Sequence, residues 1–303
     1  MKKARIIYNP TAGREAFKKE IAIVLEQLEI AGYESSAHAT TCEGDATQAA
    51  IAASEREFDL IVAVGGDGTL NEVINGVAGQ AYRPKIGIIP AGTTNDFARA
   101  LDIPRNIQEA VDIIVANHAM FMDVGKVNDQ YFINIAGGGK LTELTYEVPS
   151  KLKTMLGQLA YYIKGIEMLP FLRPIHTKIE YDGTIIDEEI MLFLIANTNS
   201  VGGFEKLAPD AKIDDGYFDL LILKKSNIAE FIRVATAALR GAHIEDKNMI
   251  YTQAKHIKVT PNDKMQLNID GEFGGLLPGE FTNIKQHIEF LIPESFKNAG
   301  EDS

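Results

Sequence analysis

Residues 60–71, LIVAVGGDGTLN, constrain the fold of this chain more than any other stretch. An apolar run breaks into glycines and then continues as a helical segment. A short uninterrupted apolar run bounded by turn residues suits a strand covered on both faces. Glycines after such a strand let a ligand approach bare backbone, and the first amides of a helix lack an acceptor within it. That combination suits a phosphate. Asp67 would repel one unless a cation lay between them, so the stretch reads as a site for a nucleotide with Mg²⁺. The same residues also read as a glycine turn with an aspartate at a helix start.

Flanking segments repeat the arrangement. An apolar run at 4–8 stops at Asn9-Pro10-Thr11-Ala12-Gly13-Arg14, and Phe17, Ile21, Val24, Leu25 and Leu28 then recur at helical spacing up to Gly32. A strand is expected at 33–39, closed by residues 40–45, then an alanine-rich helix at 46–54. Residues 85–89 form a fourth expected strand, ending in Pro90-Ala91-Gly92-Thr93-Thr94-Asn95-Asp96, with helices expected at 97–101 and 107–115. Strands alternating with helices predict a parallel sheet covered on both faces, which binds ligands beyond the carboxyl ends of its strands. Four loops rich in Gly, Thr, Asn and Asp would then line one edge, which favours the nucleotide reading.

The character changes near Asp123. Strands are expected at 121–127 and 130–135 around Asn128-Asp129, and at 175–181 and 185–196 around the hairpin signal Asp182-Gly183. Further strands are expected at 217–223, 256–260, 265–270 and 286–292, with helices at 152–169 and 228–239. The expected fold is therefore α/β: a parallel-sheet nucleotide-binding domain over residues 1–125 and an antiparallel β-sandwich over 126–295, whose C-terminal segment can pack back on the first domain.

Totals narrow the function. The formal net charge of −12 argues against broad electrostatic binding to nucleic acid. One cysteine, Cys42, excludes an internal disulfide and a thiolate zinc site. No run approaches the roughly 20 apolar residues of a membrane-spanning helix, and the basic N-terminus leads into a strand rather than a signal peptide. A soluble, cytoplasmic protein is expected.

Several familiar motifs are absent. No G-x-x-x-x-G-K-[ST] occurs, and Gly137-Gly138-Gly139-Lys140 lacks the required flanking Gly and hydroxyl. The dinucleotide fingerprint fails where Asn71 replaces its third glycine, and the six histidines form no H-x-x-x-H pair. The set that is present resembles the diacylglycerol kinase catalytic domain family: Asn9-Pro10-Thr11-Ala12-Gly13, Thr40-Thr41, Gly65 to Glu72, Pro90 to Arg99, Asp123-Val124-Gly125, Lys212 to Asp219 and Asp270-Gly271-Glu272. GGDG alone also occurs in phosphofructokinases and NAD kinases; GTTNDFAR and DGE make the set specific.

The resemblance implies an ATP- and Mg²⁺-dependent lipid kinase that converts diacylglycerol to phosphatidic acid in phospholipid and lipoteichoic-acid metabolism. It implies nucleotide contacts at Asn9, Pro10, Thr11, Ala12, Gly13, Thr40, Gly66, Asp67, Gly68, Thr69, Leu70, Asn71, Glu72 and Thr93. Asp67 would face the nucleotide's Mg²⁺, with Asp96 and Asp123 nearby, and Glu272 would be the general base. Arg14 stands where related enzymes commonly have Lys; it can clamp a phosphate but not relay a proton. Lys212, Asp215 and Tyr217 would hold a second, structural Mg²⁺ through the Asp215 carboxylate and two main-chain oxygens. A homodimer, peripheral at the inner membrane face, is also implied. The apolar, basic-edged stripe at 152–169 and the cluster Lys224, Lys225, Arg233 and Arg240 each read either as membrane-docking features or as an ordinary packed or solvated face. Rival readings are a kinase for another hydroxylated lipid, such as a sphingoid base, and a nucleotide-binding regulator without turnover.

Overall fold

The computed structural model describes residues 1–12, 17–139, 173–199, 207–238 and 240–296. The chain divides into two units, Met1–Met122 with Gln286–Ser303, and Asp123–Lys285.

Unit 1 opens with β1 (Lys2–Tyr8), α1 (Phe17–Ile30), β2 (Tyr33–Ala39), α2 (Asp45–Glu55), β3 (Leu60–Gly65), α3 (Asp67–Ala78) and β4 (Lys85–Pro90). Short α4 (Asp96–Ala100) and α5 (Ile107–Ala116) follow. The four strands are parallel in the order β2-β1-β3-β4. All six residues of β3 are buried, as the apolar run requires of a central strand. From β1 the chain moves outward to β2, then returns across β1 to β3 and β4. The order therefore reverses between β1 and β3, the place where open α/β sheets bind ligands. Helices α2 and α3 pack together, as do α1 and α5. The alanines of α2 permit the first approach: Ala46, Ala49, Ala50 and Ala53 are buried, and a β-carbon on Gly76 of α3 would lie 2.5 Å from the Thr47 carbonyl.

Unit 2 is antiparallel. It takes in the end of β5 (Ala119–Val127), then β6 (Gln130–Phe132), β7 (Ile135–Gly139), β8 (Ile175–Tyr181), β9 (Thr184–Ala196) and β10 (Phe218–Lys224). Next come α6 (Ile228–Ala238), β11 (Met249–Ala254), β12 (His256–Pro261), β13 (Gln266–Ile269), β14 (Glu272–Leu276) and the start of β15 (Gly279–Leu291). The Asp182-Gly183 hairpin forms as expected, joining β8 to β9. One core cluster unites alternate residues of these strands, including Phe132, Phe193, Phe218 and Phe281. Gly137, Gly138 and Gly139, rejected above as a phosphate loop, lie buried in β7. A β-carbon there would come within 2.5–2.8 Å of β9 or its side chains, so the glycines are a packing device.

Two segments differ from expectation. The single strand expected at 130–135 is two, β6 and β7, because the chain bends at Ile133 and Asn134, whose amides turn to the Asp270 carboxylate. The strand expected at 286–292 is the second half of β15, which carries Gln286 at φ 48°. In unit 1, Phe290 of that half pairs with Ile86, and its ring lies 5.1 Å from Phe97. The helix expected at 152–169 lies outside the described residues. No helix among the described residues is long and apolar enough to cross a membrane.

Candidate active site

Unit 1 gathers its polar loops at the carboxyl ends of its strands by main-chain bonding. The Asn9 amide donates to the Val64 carbonyl at 3.0 Å, and the Thr40 amide to that of Tyr8 at 2.9 Å. Residues 9–12 wind around the Asn9 side chain, whose Oδ1 accepts from the Thr11 amide and hydroxyl at 2.9 and 2.8 Å. Pro10 and Ala12 shape the same turn. Gly13 and Arg14 lie outside the described residues. Beside Thr40, the Asp45 carboxylate accepts from the Thr41 amide at 2.7 Å and lies 2.9 Å from the His38 ring. The Thr41 amide above all, then His38, holds that carboxyl below its usual range.

The glycine loop closes on its neighbour. Gly66 caps α3 in an extended conformation, and Asp67, Gly68 and Thr69 form the helix's first turn. The Ala91 amide donates to the Gly65 carbonyl at 2.8 Å. A β-carbon on Gly92 would lie 2.4 Å from the Gly66 Cα, so the two backbones touch. The crossing is held by Asn95, buried and left-handed at φ 52°, ψ 53°. Its side-chain oxygen accepts from the Gly92 amide and its nitrogen donates to the Gly92 carbonyl, both at 2.9 Å. Arg99 donates to the Thr94 carbonyl and Arg105 to that of Thr93, each at 2.7 Å, leaving the Thr93 side chain at the exposed surface. Asp96 begins α4, 3.7 Å from the Arg99 guanidinium. A void of about 10 Å³, room for one water, lies beneath, bordered by Gly66, Asp67, Leu70 and Asn95.

Some of the residues expected at the nucleotide are also bonded or packed within unit 1. Leu70 is buried in the α3 core face. Glu72 accepts from the Ala46 amide at 3.0 Å, capping α2, and Asn71 receives the Asn75 side chain on its carbonyl at 2.9 Å. Sequence reasoning gave no role to Asn95, although it lies within the quoted motif. Arg105 lies outside every motif and left no signal.

Unit 2 carries the remaining expected residues. Asp123, 1% exposed, accepts the Gly216 amide on Oδ2 at 2.6 Å and donates its own amide to the Ile213 carbonyl at 2.7 Å. It thereby pins the loop that contains Lys212, Asp215 and Tyr217. Within that loop the Tyr217 amide donates to Asp215 Oδ1 at 2.8 Å, and the Lys255 ammonium sits 4.6 Å from the Tyr217 ring centre. One carboxylate with main-chain oxygens suits a hard cation. Among the described residues no group of three or more His, Cys, Asp or Glu side chains forms a denser metal site. Glu272 is the first residue of β14, exposed, directly after the two-residue turn Asp270-Gly271 of the β13–β14 hairpin. Three members of the basic cluster of unit 2 are paired: Lys224 meets Glu188 at 3.2 Å, Lys225 Glu189 at 2.7 Å and Arg233 Asp246 at 3.0 Å. That pairing favours the solvated reading of the cluster over a membrane-facing one.

Asp219, 1% exposed, accepts the Tyr251 hydroxyl, and burial pushes its pKa up to about 6 from 3.8. An acid raised in the fold prefers its protonated form, so its cost is absent below about pH 4, grows to about pH 6 and is full above that. Two pKa units correspond to at most about 3 kcal/mol. Asp219→Asn should therefore raise Tm by several degrees at pH 8 in chelator and leave it unchanged at pH 4; equal gains at both pH values would refute the origin in charge.

Comparison with known proteins places this geometry. Residues 3–127 match the diacylglycerol kinase catalytic domain, and residues 144–292 the YegS C-terminal NAD kinase beta sandwich-like domain. A diacylglycerol kinase of Bacillus subtilis (strain 168) is 66% identical over 97% of this chain and 97% of its own. One of Staphylococcus haemolyticus is 54% identical over 97% of this chain and 89% of its own. Among solved structures, one from Bacillus anthracis str. Sterne has a TM-score of 0.85 at 30% identity, covering 97% of this chain and 96% of that one. A diacylglycerol kinase structure from the same organism has a TM-score of 0.77 at 27% identity, covering 97% and 98%. The expected fold class and the motif resemblance are both borne out. The chain belongs to the diacylglycerol kinase family.

Proposed function

We propose that the protein transfers the γ-phosphoryl group of ATP to diacylglycerol, giving phosphatidic acid and ADP; its relatives carry the name diacylglycerol kinase. The observation that carries the donor half is the backbone contact of Gly66 with Gly92 beside Asp67, at the carboxyl ends of β3 and β4. The first-turn amides of Gly68 and Thr69 are donors without an intrahelical acceptor. Hydroxyls of Thr11, Thr40 and Thr93 add donors. Asp67 and Asp96 are the carboxylates suited to a nucleotide-borne Mg²⁺, which when bound would neutralise charge on the phosphates. Phosphoryl transfer asks mainly for position and charge, and this inventory supplies both.

Glu272 accepts the proton of the acceptor hydroxyl as that oxygen bonds to phosphorus and the bond to the bridging oxygen of ADP breaks. Asp123 holds the 213–216 loop rather than reaching out to a ligand, so its part is support of the Lys212, Asp215 and Tyr217 cation loop. The product would enter phospholipid and lipoteichoic-acid metabolism, with the enzyme a homodimer working at the inner membrane face.

Labelled ATP offered with micelles of diacylglycerol or of a sphingoid base tests the reading. Label should enter phosphatidic acid alone, and Asp67→Asn should reduce it at least 100-fold with Tm preserved. Label in the sphingoid base would reassign the acceptor; ATP binding without any lipid product would make the protein a regulator.

A further inference from the structure

The Asp270 carboxylate is committed to the protein's own backbone. Its Oδ1 accepts from the amides of Asn134 and Ile135 at 3.0 and 2.8 Å, and its Oδ2 from that of Ile133 at 3.0 Å. The Asp270 amide returns a bond to the Ile135 carbonyl at 2.8 Å. Three successive amides converging on one carboxylate form an anion-binding concavity, here filled from within the chain. The site on the other side is equally fixed. Asn197 donates to the carbonyls of Ile133 and Asp123 at 3.1 and 3.0 Å, and its own amide donates to that of Asn134 at 2.9 Å.

Asp270 is also the first residue of a turn two residues long. Ile269 pairs with Glu272, and Asp270 and Gly271 lie at φ 48° and 92°, the double positive-φ turn that matches strand twist. The Gly271 amide is bonded to Asn268 Oδ1 at 3.1 Å. Two residues separate nothing: any rotation of Asp270 about its amides swings Glu272 directly. Ile133, Asn134 and Ile135 are buried, and the Asp270 carboxylate supplies the acceptors their amides need while anchoring the turn through charge-assisted bonds.

We propose that Asp270 is a positioning residue for the acceptor half of the reaction, its carboxylate in the Ile133–Ile135 amides fixing the direction in which Glu272 leaves the turn. This rests on Glu272 being the base. Misplacing a reacting group by about 1 Å costs on the order of 100-fold in rate. The amide of an asparagine would present a donor to at least one of the three N–H groups, so Asp270→Asn must shift the turn.

The test is a double-mutant cycle of Asp270→Asn with Glu272→Gln, reading kcat, the KM for ATP and Tm. Asp270→Asn should lower kcat 10- to 100-fold and leave the KM for ATP within twofold. The double variant should be no slower than Glu272→Gln alone, since one residue acts through the other. Asp270→Glu, which keeps the charge and lengthens the arm by one methylene, is the second variant and should show the same kcat loss in folded protein. Wild-type kcat in both Asp270 variants, or losses that multiply in the double variant, would overturn the proposal and leave the base assignment standing. Wild-type kcat in Glu272→Gln would instead remove the base, and the proposal with it.

Discussion

Glu272→Gln will lower kcat by about 100- to 10,000-fold, the usual contribution of a positioned base, while ATP binding stays within about twofold of wild type. The substitution is nearly isosteric, at an exposed position that opens β14, so folding is not at stake. The nucleotide loops, at residues 9–12, 40, 66–72 and 93, belong to the other unit. Single-turnover transfer of label to diacylglycerol, beside equilibrium ATP binding, separates the two quantities. A variant with unchanged kcat would remove Glu272 as the base.

Gly92→Ala is expected to be as damaging at the donor end, by a steric route. The added β-carbon falls 2.4 Å from the Gly66 Cα and 2.7 Å from Asn95 Oδ1, closer than real atoms approach. Both neighbours are part of the loop itself, so the clash cannot be relieved by turning a flexible side chain. Forced separation of Gly66 from Gly92 also strains the paired bonds between Asn95 and Gly92. Overpacking of well-filled sites costs roughly 1–3 kcal/mol, and here the strain is concentrated on the phosphate cradle. ATP affinity should fall at least tenfold, with a Tm decrease of a few degrees. Gly183→Ala is the control: nothing lies within 4 Å of its β-carbon, and only its φ of 89° is penalised. If Gly92→Ala bound ATP like wild type, the two-loop contact would have no part in nucleotide binding.

The parallel half of the fold was legible because its strands are unbroken apolar runs and its loops fall at the same end of each. β3 is the clearest case, all six residues apolar or glycine and all buried. Much of the antiparallel half was legible from alternation and from Asp182-Gly183. Two strands were not. β14, EFGGL, carries two glycines and reads as a turn, and β11, MIYTQA, shows no alternation in its burial to match a period of two. The chemical residues of the site came from motif resemblance; their supports did not. A carboxylate at Asp270 looks like any turn acid until the amides of Ile133 to Ile135, about 135 residues earlier, are found beneath it. Arg105 holding the Thr93 carbonyl and Glu72 capping α2 are likewise products of tertiary approach, which no local pattern records.

The first unit is completed by the last part of the chain. Phe290 pairs with Ile86 and packs at a tilt against Phe97, the residue next to Asp96, while Glu289 meets Lys85 at 3.3 Å and the Ile292 amide donates to the His118 carbonyl at 2.9 Å. A ribosome that has finished residue 122 has made every phosphate-loop residue but none of this backing. About 160 further residues must be added first, roughly 8 to 32 seconds of elongation at ordinary rates. The nucleotide loops are thus written first and braced later, and during synthesis the donor half waits for residues 286–292 while the whole of the second unit is made.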